Sequence, residues 1–150
     1  MPYCRKQYCK KFDLTINLFW LMKSLSIQKT DALPEVKFDV DTGIMHMEGM
    51  SYDEDALEFY KVLMQWLEQF SEDPSLNNSL KVNLFLHYLD SCSTKCMYEV
   101  LNLFKGIKEK VDELEINWYY EEDEEDMEDM GIEYGEILEM DINVLKVKSA

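Results

Sequence analysis

The sequence predicts one α/β domain: a mixed, largely parallel sheet with helices packed on it. Length, apolar periodicity and the spacing of the later strands carry that prediction. At 150 residues the chain fits a single domain, and 47% hydrophobic with 13% aromatic residues suffices to fill a core of that size. The apolar period switches along the chain between two, which marks strands, and three-to-four, which marks amphipathic helices. The later strand patterns are separated by helix-length segments, which imply crossovers and therefore parallel pairing.

The elements follow in order. Leu25 to Gln28 is a short strand, broken by Asp31 to Pro34. Val36 to Asp39 alternates, Asp41-Thr-Gly43 is a turn signal, and Ile44 to Glu48 is the return strand of a hairpin that Gly49 ends. Ser51-Tyr-Asp-Glu54 has the form of a capping box and predicts a helix start there. Ala56, Phe59, Tyr60, Leu63, Met64, Leu67 and Phe70 form the apolar stripe of that helix, which Pro74 and Asn77-Asn78 stop. Leu80 to Leu89 reads as a central strand, with Leu80, Val82, Leu84, Leu86 and Tyr88 on one face and Phe85 and Leu89 on the other. Cys96, Met97, Val100, Leu101, Phe104, Ile107 and Val111 mark a second helix. Glu113 to Tyr120 alternates as a strand, Glu121 to Glu136 is an acidic helix, and Met140 to Val147 is the last strand. The predicted order is β-β-β-α-β-α-β-α-β.

The formal charge is −16, from 31 acidic and 15 basic residues. Such a surface repels nucleic-acid phosphates, so a protein partner with a basic face is expected, and nucleic acid is not. Residues 1–24 read as an N-terminal extension outside the fold. They hold the one basic cluster, Arg5, Lys6, Lys10 and Lys11, then an apolar run from Leu14 to Met22 that is too short to span a bilayer and lacks a small-residue cleavage site. Met22 would make a natural start, and a membrane-contacting basic helix is the alternative; stable insertion is not expected. Four cysteines, with Cys92 and Cys96 four apart in a helical pattern, suggest no disulfide scaffold and point to a reducing cytoplasm.

Motifs for catalysis are missing. His46 and His87 both lie in strands, and no zincin, nucleophile-elbow, P-loop or dinucleotide pattern occurs. A Cys92–His87 nucleophile pair and a zinc site from Cys4, Cys9, Cys92 and Cys96 are the two enzyme-like or metal-like arrangements available; packing of small apolar residues explains the helical cysteines more simply. The acidic run from Glu121 to Asp129 lacks the order of a calcium loop and reads as a solvated helix face. No cofactor and no metal are expected. The segment with chemistry in it is Tyr88-Leu-Asp-Ser-Cys-Ser-Thr-Lys95, where three hydroxyls stand between a buried-type strand and a helix. They either cap the helix or present one hydroxyl at a helix N-terminus, where a phosphate is electrostatically tolerated and changes the surface offered to a partner.

At this segment the chain resembles the SiaC family of bacterial regulatory phosphoproteins. The resemblance also rests on Leu33 to Asp39, Gly49 to Asp53, Glu58-Phe-Tyr60, Trp66-Leu-Glu68 and above all Ile116-Asn-Trp-Tyr-Tyr-Glu-Glu-Asp-Glu-Glu-Asp-Met127 with Gly131 downstream. It covers about Leu25 to Val147. It implies an anti-sigma-factor-antagonist (STAS)-like fold and a non-enzymatic partner switch. A dedicated serine/threonine kinase would phosphorylate the protein and a metal-dependent phosphatase would reverse that. The unphosphorylated form would bind an effector, in the family's best-understood branch a diguanylate cyclase that promotes biofilm formation. The family's acceptor junction usually reads Asn-Thr-Ser-Ser; Asp90-Ser91-Cys92-Ser93 here places Ser91 at the acceptor, with Ser93 and Thr94 as fallbacks. Tyr88, Asp90, Lys95, Trp118, Tyr120, Glu124 and Asp126 are the expected partner-binding residues. The competing expectation is a constitutive acidic scaffold with no phospho-switch.

Overall fold

Nine elements alternate in the computed structural model, which describes residues 23–72 and 79–148. They are β1 (Leu25–Ile27), β2 (Glu35–Asp39), β3 (Ile44–Ser51), α1 (Ala56–Ser71), β4 (Ser79–Leu89), α2 (Ser91–Lys108), β5 (Glu113–Glu121), α3 (Glu125–Leu138) and β6 (Asn143–Val147). The order is the one the apolar periods predict. The extension, apart from its last two residues, and the expected helix stop at Pro74 and Asn77-Asn78 lie outside the described residues.

The strands form one six-stranded sheet in sequential order, β1 to β6. The first two pairings are antiparallel and the other three parallel. The β2–β3 turn closes on Asp39, whose carboxylate accepts from Asp41 N–H (2.9 Å) and whose carbonyl accepts from Gly43 N–H (3.0 Å). Gly43 has φ of 75°, a left-handed conformation that a side chain would resist.

Sequential strand order has a consequence for layering. Each right-handed crossover from β3 to β6 steps to the next strand, so all three helices fall on the same side. That face is the core: Phe38 meets Trp66 of α1 (ring centroids 5.5 Å apart) and Phe104 of α2 (6.2 Å), while Met47, Leu84 and Trp118 lie side by side across the strands. Among the described residues the opposite face carries no helix. Its central row is Lys37, His46, Asn83, Asn117 and Asn143, one from each of β2 to β6. Asn117 donates to Asn83 Oδ1 (3.0 Å) and Glu115 (2.8 Å), and Asn143 donates to Asn117 Oδ1 (3.0 Å). This ladder satisfies the polar side chains of a face that no described helix covers.

Two expectations are corrected here. Gly49 does not end β3 but lies within it at φ of 137°, and the register slips just after it. Gly49 pairs with Leu86 and Met50 with Tyr88, so His87 is the extra residue of a β-bulge. The bulge shifts the phase of β4: Leu89 joins the core and Tyr88 turns outward, the reverse of simple alternation. Ser51, in turn, is no helix cap. It is the last residue of β3, fully buried, and α1 begins at Ala56 after a turn held by Asp53. No described helix is long and apolar enough to cross a membrane.

Candidate functional site

The C-terminal ends of β3, β4 and β5 lie at one edge of the sheet because these strands are parallel. The junction between β4 and α2 stands at that edge. Asp90 builds it: its N–H donates to Ser51 O (3.0 Å), its carboxylate accepts from Ser93 N–H (2.8 Å), and its carbonyl accepts from the backbone N–H and hydroxyl of Thr94 (2.8 and 2.9 Å). Asp90 is therefore the helix N-cap. Removing the cap as Asp90→Ala should cost about 1 kcal/mol of unfolding free energy, read in urea melts.

The three hydroxyls of the junction have separate fates. Ser91 opens α2 and is exposed; among the described residues nothing exchanges a hydrogen bond with its Oγ. Ser93 is 0% exposed, with its Oγ 2.6 Å from Ser51 Oγ, which also accepts from Tyr60 O–H (2.9 Å). Burial holds the Tyr60 phenol protonated well above the ordinary range. Ser93 is thereby withdrawn as a fallback acceptor: its oxygen faces the core side of the helix and is spent on joining β3, α1 and α2. The Thr94 hydroxyl is half-buried and donates to Asp90 O. Ser91 alone offers an open oxygen.

Exposed apolar residues occupy the same edge of the sheet. Tyr88 is 50% exposed and packs edge-on against Tyr52 (6.1 Å), and Met50, its register partner, is also exposed. Lys95 is exposed one helical turn beyond Ser91. Tyr52 and Met50 escaped the sequence reading because only the bulge turns Tyr88 toward them.

The aromatic end of β5 is a correction as well. Trp118 is fully buried; its indole N–H donates to Met127 O (2.8 Å) and its ring meets Tyr134 edge-on (5.6 Å). Tyr120 is nearly buried and donates its hydroxyl proton to Glu128 (2.8 Å). Neither ring presents a surface to a partner, because both point to the helix-covered face and hold α3 against it. Tyr134 reaches further, donating to Thr94 O (2.7 Å) in the first turn of α2. The acidic helix is thus tied to the turn that carries Ser91. Its head, with Glu124 at the N-cap and Asp126 in the first turn, stays accessible, where the helix dipole favours acidic groups.

The remaining nucleophile arrangement does not assemble. No hydrogen bond joins Cys92 to His87, whose ring nitrogen lies instead beside Glu121 and Glu124. Cys96 is buried, and burial, reinforced by Cys92, pushes its thiol up to about 11. Cys4 and Cys9, the other half of the zinc arrangement, lie outside the described residues.

Comparison with known proteins identifies the family and the fold. The family model described as "SiaC family regulatory phosphoprotein" matches residues 27–147. An uncharacterized protein of Pseudomonas aeruginosa (strain UCBPP-PA14) is 28% identical over 115 residues, 77% of this chain and 90% of the relative. Among solved structures, a chain in the crystal structure of the diguanylate cyclase SiaD in complex with its activator SiaC, from Pseudomonas aeruginosa, superposes with a TM-score of 0.73 at 25% identity, covering 82% of this chain and 99% of that one. The structure of SiaC of Pseudomonas aeruginosa gives 0.70 at 24% identity, over 85% and 100% of the two chains, a likeness of fold.

Proposed function

Because the chain belongs to the SiaC family of regulatory phosphoproteins, we propose that it is a non-enzymatic signalling protein in which reversible phosphorylation of Ser91 governs binding to an effector. The observation that carries this reading is that Ser91 is the one junction hydroxyl both exposed and uncommitted, set beside the exposed Tyr88, Tyr52 and Met50. A phosphate there would add about −1.5 to −2 charges at a helix N-terminus, with Lys95 at i+4 as a counter-charge. The fold would tolerate it, and the neighbouring apolar patch would change character.

The proposed partners are a cognate serine/threonine kinase, a metal-dependent phosphatase that reverses it, and an effector. The solved SiaC chain this protein resembles is an activator of a diguanylate cyclase, and a cyclase is the effector proposed here, with control of cyclic di-GMP and biofilm formation as the output. Tyr88, Lys95, Glu124 and Asp126 form the proposed contact surface, with Tyr52 and Met50 added and with Asp90 shaping the turn.

The test is intact-mass measurement after incubation with the kinase and ATP, followed by an effector pull-down. One phosphate should be gained by the wild type and none by Ser91→Ala. Ser91→Glu should weaken effector binding by about tenfold or more, roughly 1.4 kcal/mol. A phosphate that persists in Ser91→Ala overturns the site. The carboxylate of Asp90 beside Ser91 opposes a phosphate and favours a second reading, a constitutive acidic scaffold. In that case no phosphate is gained, and reversing Glu124, Glu125 and Asp126 to lysine abolishes the complex while Ser91→Glu does not.

A further inference from the structure

We propose that His87, Glu121 and Glu124 form a binding site for a divalent transition-metal ion, zinc in the first instance. His87 Nδ1 lies 3.3 Å from Glu121 Oε1 and 3.5 Å from Glu124 Oε1, and the three ligand atoms all fall within 4.8 Å of one another. Ligands that share one zinc ion at about 2.0–2.2 Å stand about 3.0–3.5 Å apart, so the imidazole–carboxylate distances already match.

Each ligand is placed by a different backbone device. His87 follows Lys81, Asn83 and Phe85 on the helix-free face of β4 by strand alternation, at the position where the register slips, and its ring rests against Phe85 (4.5 Å). Glu121 is the last residue of β5. Glu124 is the N-cap of α3. The two glutamates are held together by a turn, Glu124 N–H to Glu121 O (2.8 Å), and by Glu121 N–H to the Glu124 carboxylate (3.4 Å). All three side chains are partly buried. Two carboxylates therefore converge on one imidazole in a chain already at −16.

The other histidine makes an internal comparison. His46 Nε2 lies 3.2 Å from Glu48 and 3.8 Å from Glu35, and Glu35 is shared with Lys37 (3.9 Å). One imidazole with two carboxylates is a borderline donor set that suits zinc better than calcium or magnesium, which favour oxygen alone. Three protein ligands leave a fourth position for water or for a group from a docked protein. A bound ion would pin β4 to the turn that leads into the acidic helix.

The experiment uses the full chain stripped with EDTA, titrated with zinc chloride by calorimetry and followed by thermal melting. Wild type should bind one zinc, with Tm rising by about 5–10 °C at roughly a hundredfold excess over Kd. His87→Gln and Glu124→Gln should each weaken binding at least about tenfold while His46→Gln leaves it unchanged. Absence of binding, binding lost in His46→Gln, or binding that survives His87→Gln and disappears when Cys4, Cys9 and Cys92 are changed to serine would each overturn the site.

Discussion

A carboxylate at position 93 should unfold the domain, while the same change two residues earlier should leave it standing. Ser93 is 0% exposed and its oxygen closes a three-member network with Ser51 and Tyr60. Ser93→Glu would bury an ion with no cation beside it and displace Tyr60 from its partner. An unpaired buried charge costs about 3–5 kcal/mol, against a total stability of about 5–15 kcal/mol for ordinary domains. Ser91→Glu meets water on one side and the positive end of the α2 dipole on the other, worth about 0.3–1 kcal/mol in its favour, and the Asp90 carboxylate offsets part of that. Urea melts followed by circular dichroism should therefore show Ser91→Glu within about 0.5 kcal/mol of wild type and Ser93→Glu largely unfolded in dilute buffer. A Ser93→Glu protein as stable as wild type would restore position 93 as a candidate acceptor.

Gly131→Ala should detach the acidic helix from the sheet. A β-carbon at 131 would stand 2.5 Å from Trp118 Cδ1 and 2.9 Å from Cγ and Nε1. The indole cannot retreat, since it is fully buried, hydrogen-bonded to Met127 O and pressed against Tyr134. The helix must move instead, which stretches the Trp118–Met127, Tyr120–Glu128 and Tyr134–Thr94 bonds together. Overpacking of this kind costs about 1–3 kcal/mol or more, and the gain of about 1 kcal/mol in helix propensity recovers only part. The expected result is a net loss of about 2 kcal/mol, a Tm lower by about 4–8 °C, and a changed near-ultraviolet signal from the Trp118 environment. Because Tyr134 ties α3 to the first turn of α2, effector binding should weaken in parallel. A variant with unchanged Tm and unchanged Trp signal would show that the helix sits further from the sheet than 2.5 Å implies.

These two substitutions mark where sequence reading stops. Ser93 stands three and four residues before Cys96 and Met97, in line with the apolar stripe of α2, so helical spacing places it on the packed face, but its bond to Ser51 and the closure by Tyr60 exist only in the fold. Trp118 and Tyr120 share the apolar face of β5 with Leu114 and Ile116, but that α3 closes over this face and ties both rings to itself is a property of the fold. The described helices all cover one face because consecutive parallel strands sit in sequential order, and that order is a property of the assembled sheet. The asparagine ladder of the open face is invisible in sequence for the same reason: Asn83, Asn117 and Asn143 become neighbours only through the register of three strands.

Local patterning by itself determined the element order, the largely parallel sheet and the segment that carries Ser91, because periodicity, turn residues and capping act over a few neighbouring positions. Tertiary structure decided everything that depends on one extra residue in β4. The bulge at His87 turns Tyr88 outward and Leu89 inward, and the assembled sheet sets the imidazole beside Glu121 and Glu124. A bulge arises from pairing between strands roughly forty positions apart in the chain, and short-range sequence signals carry no information about that pairing.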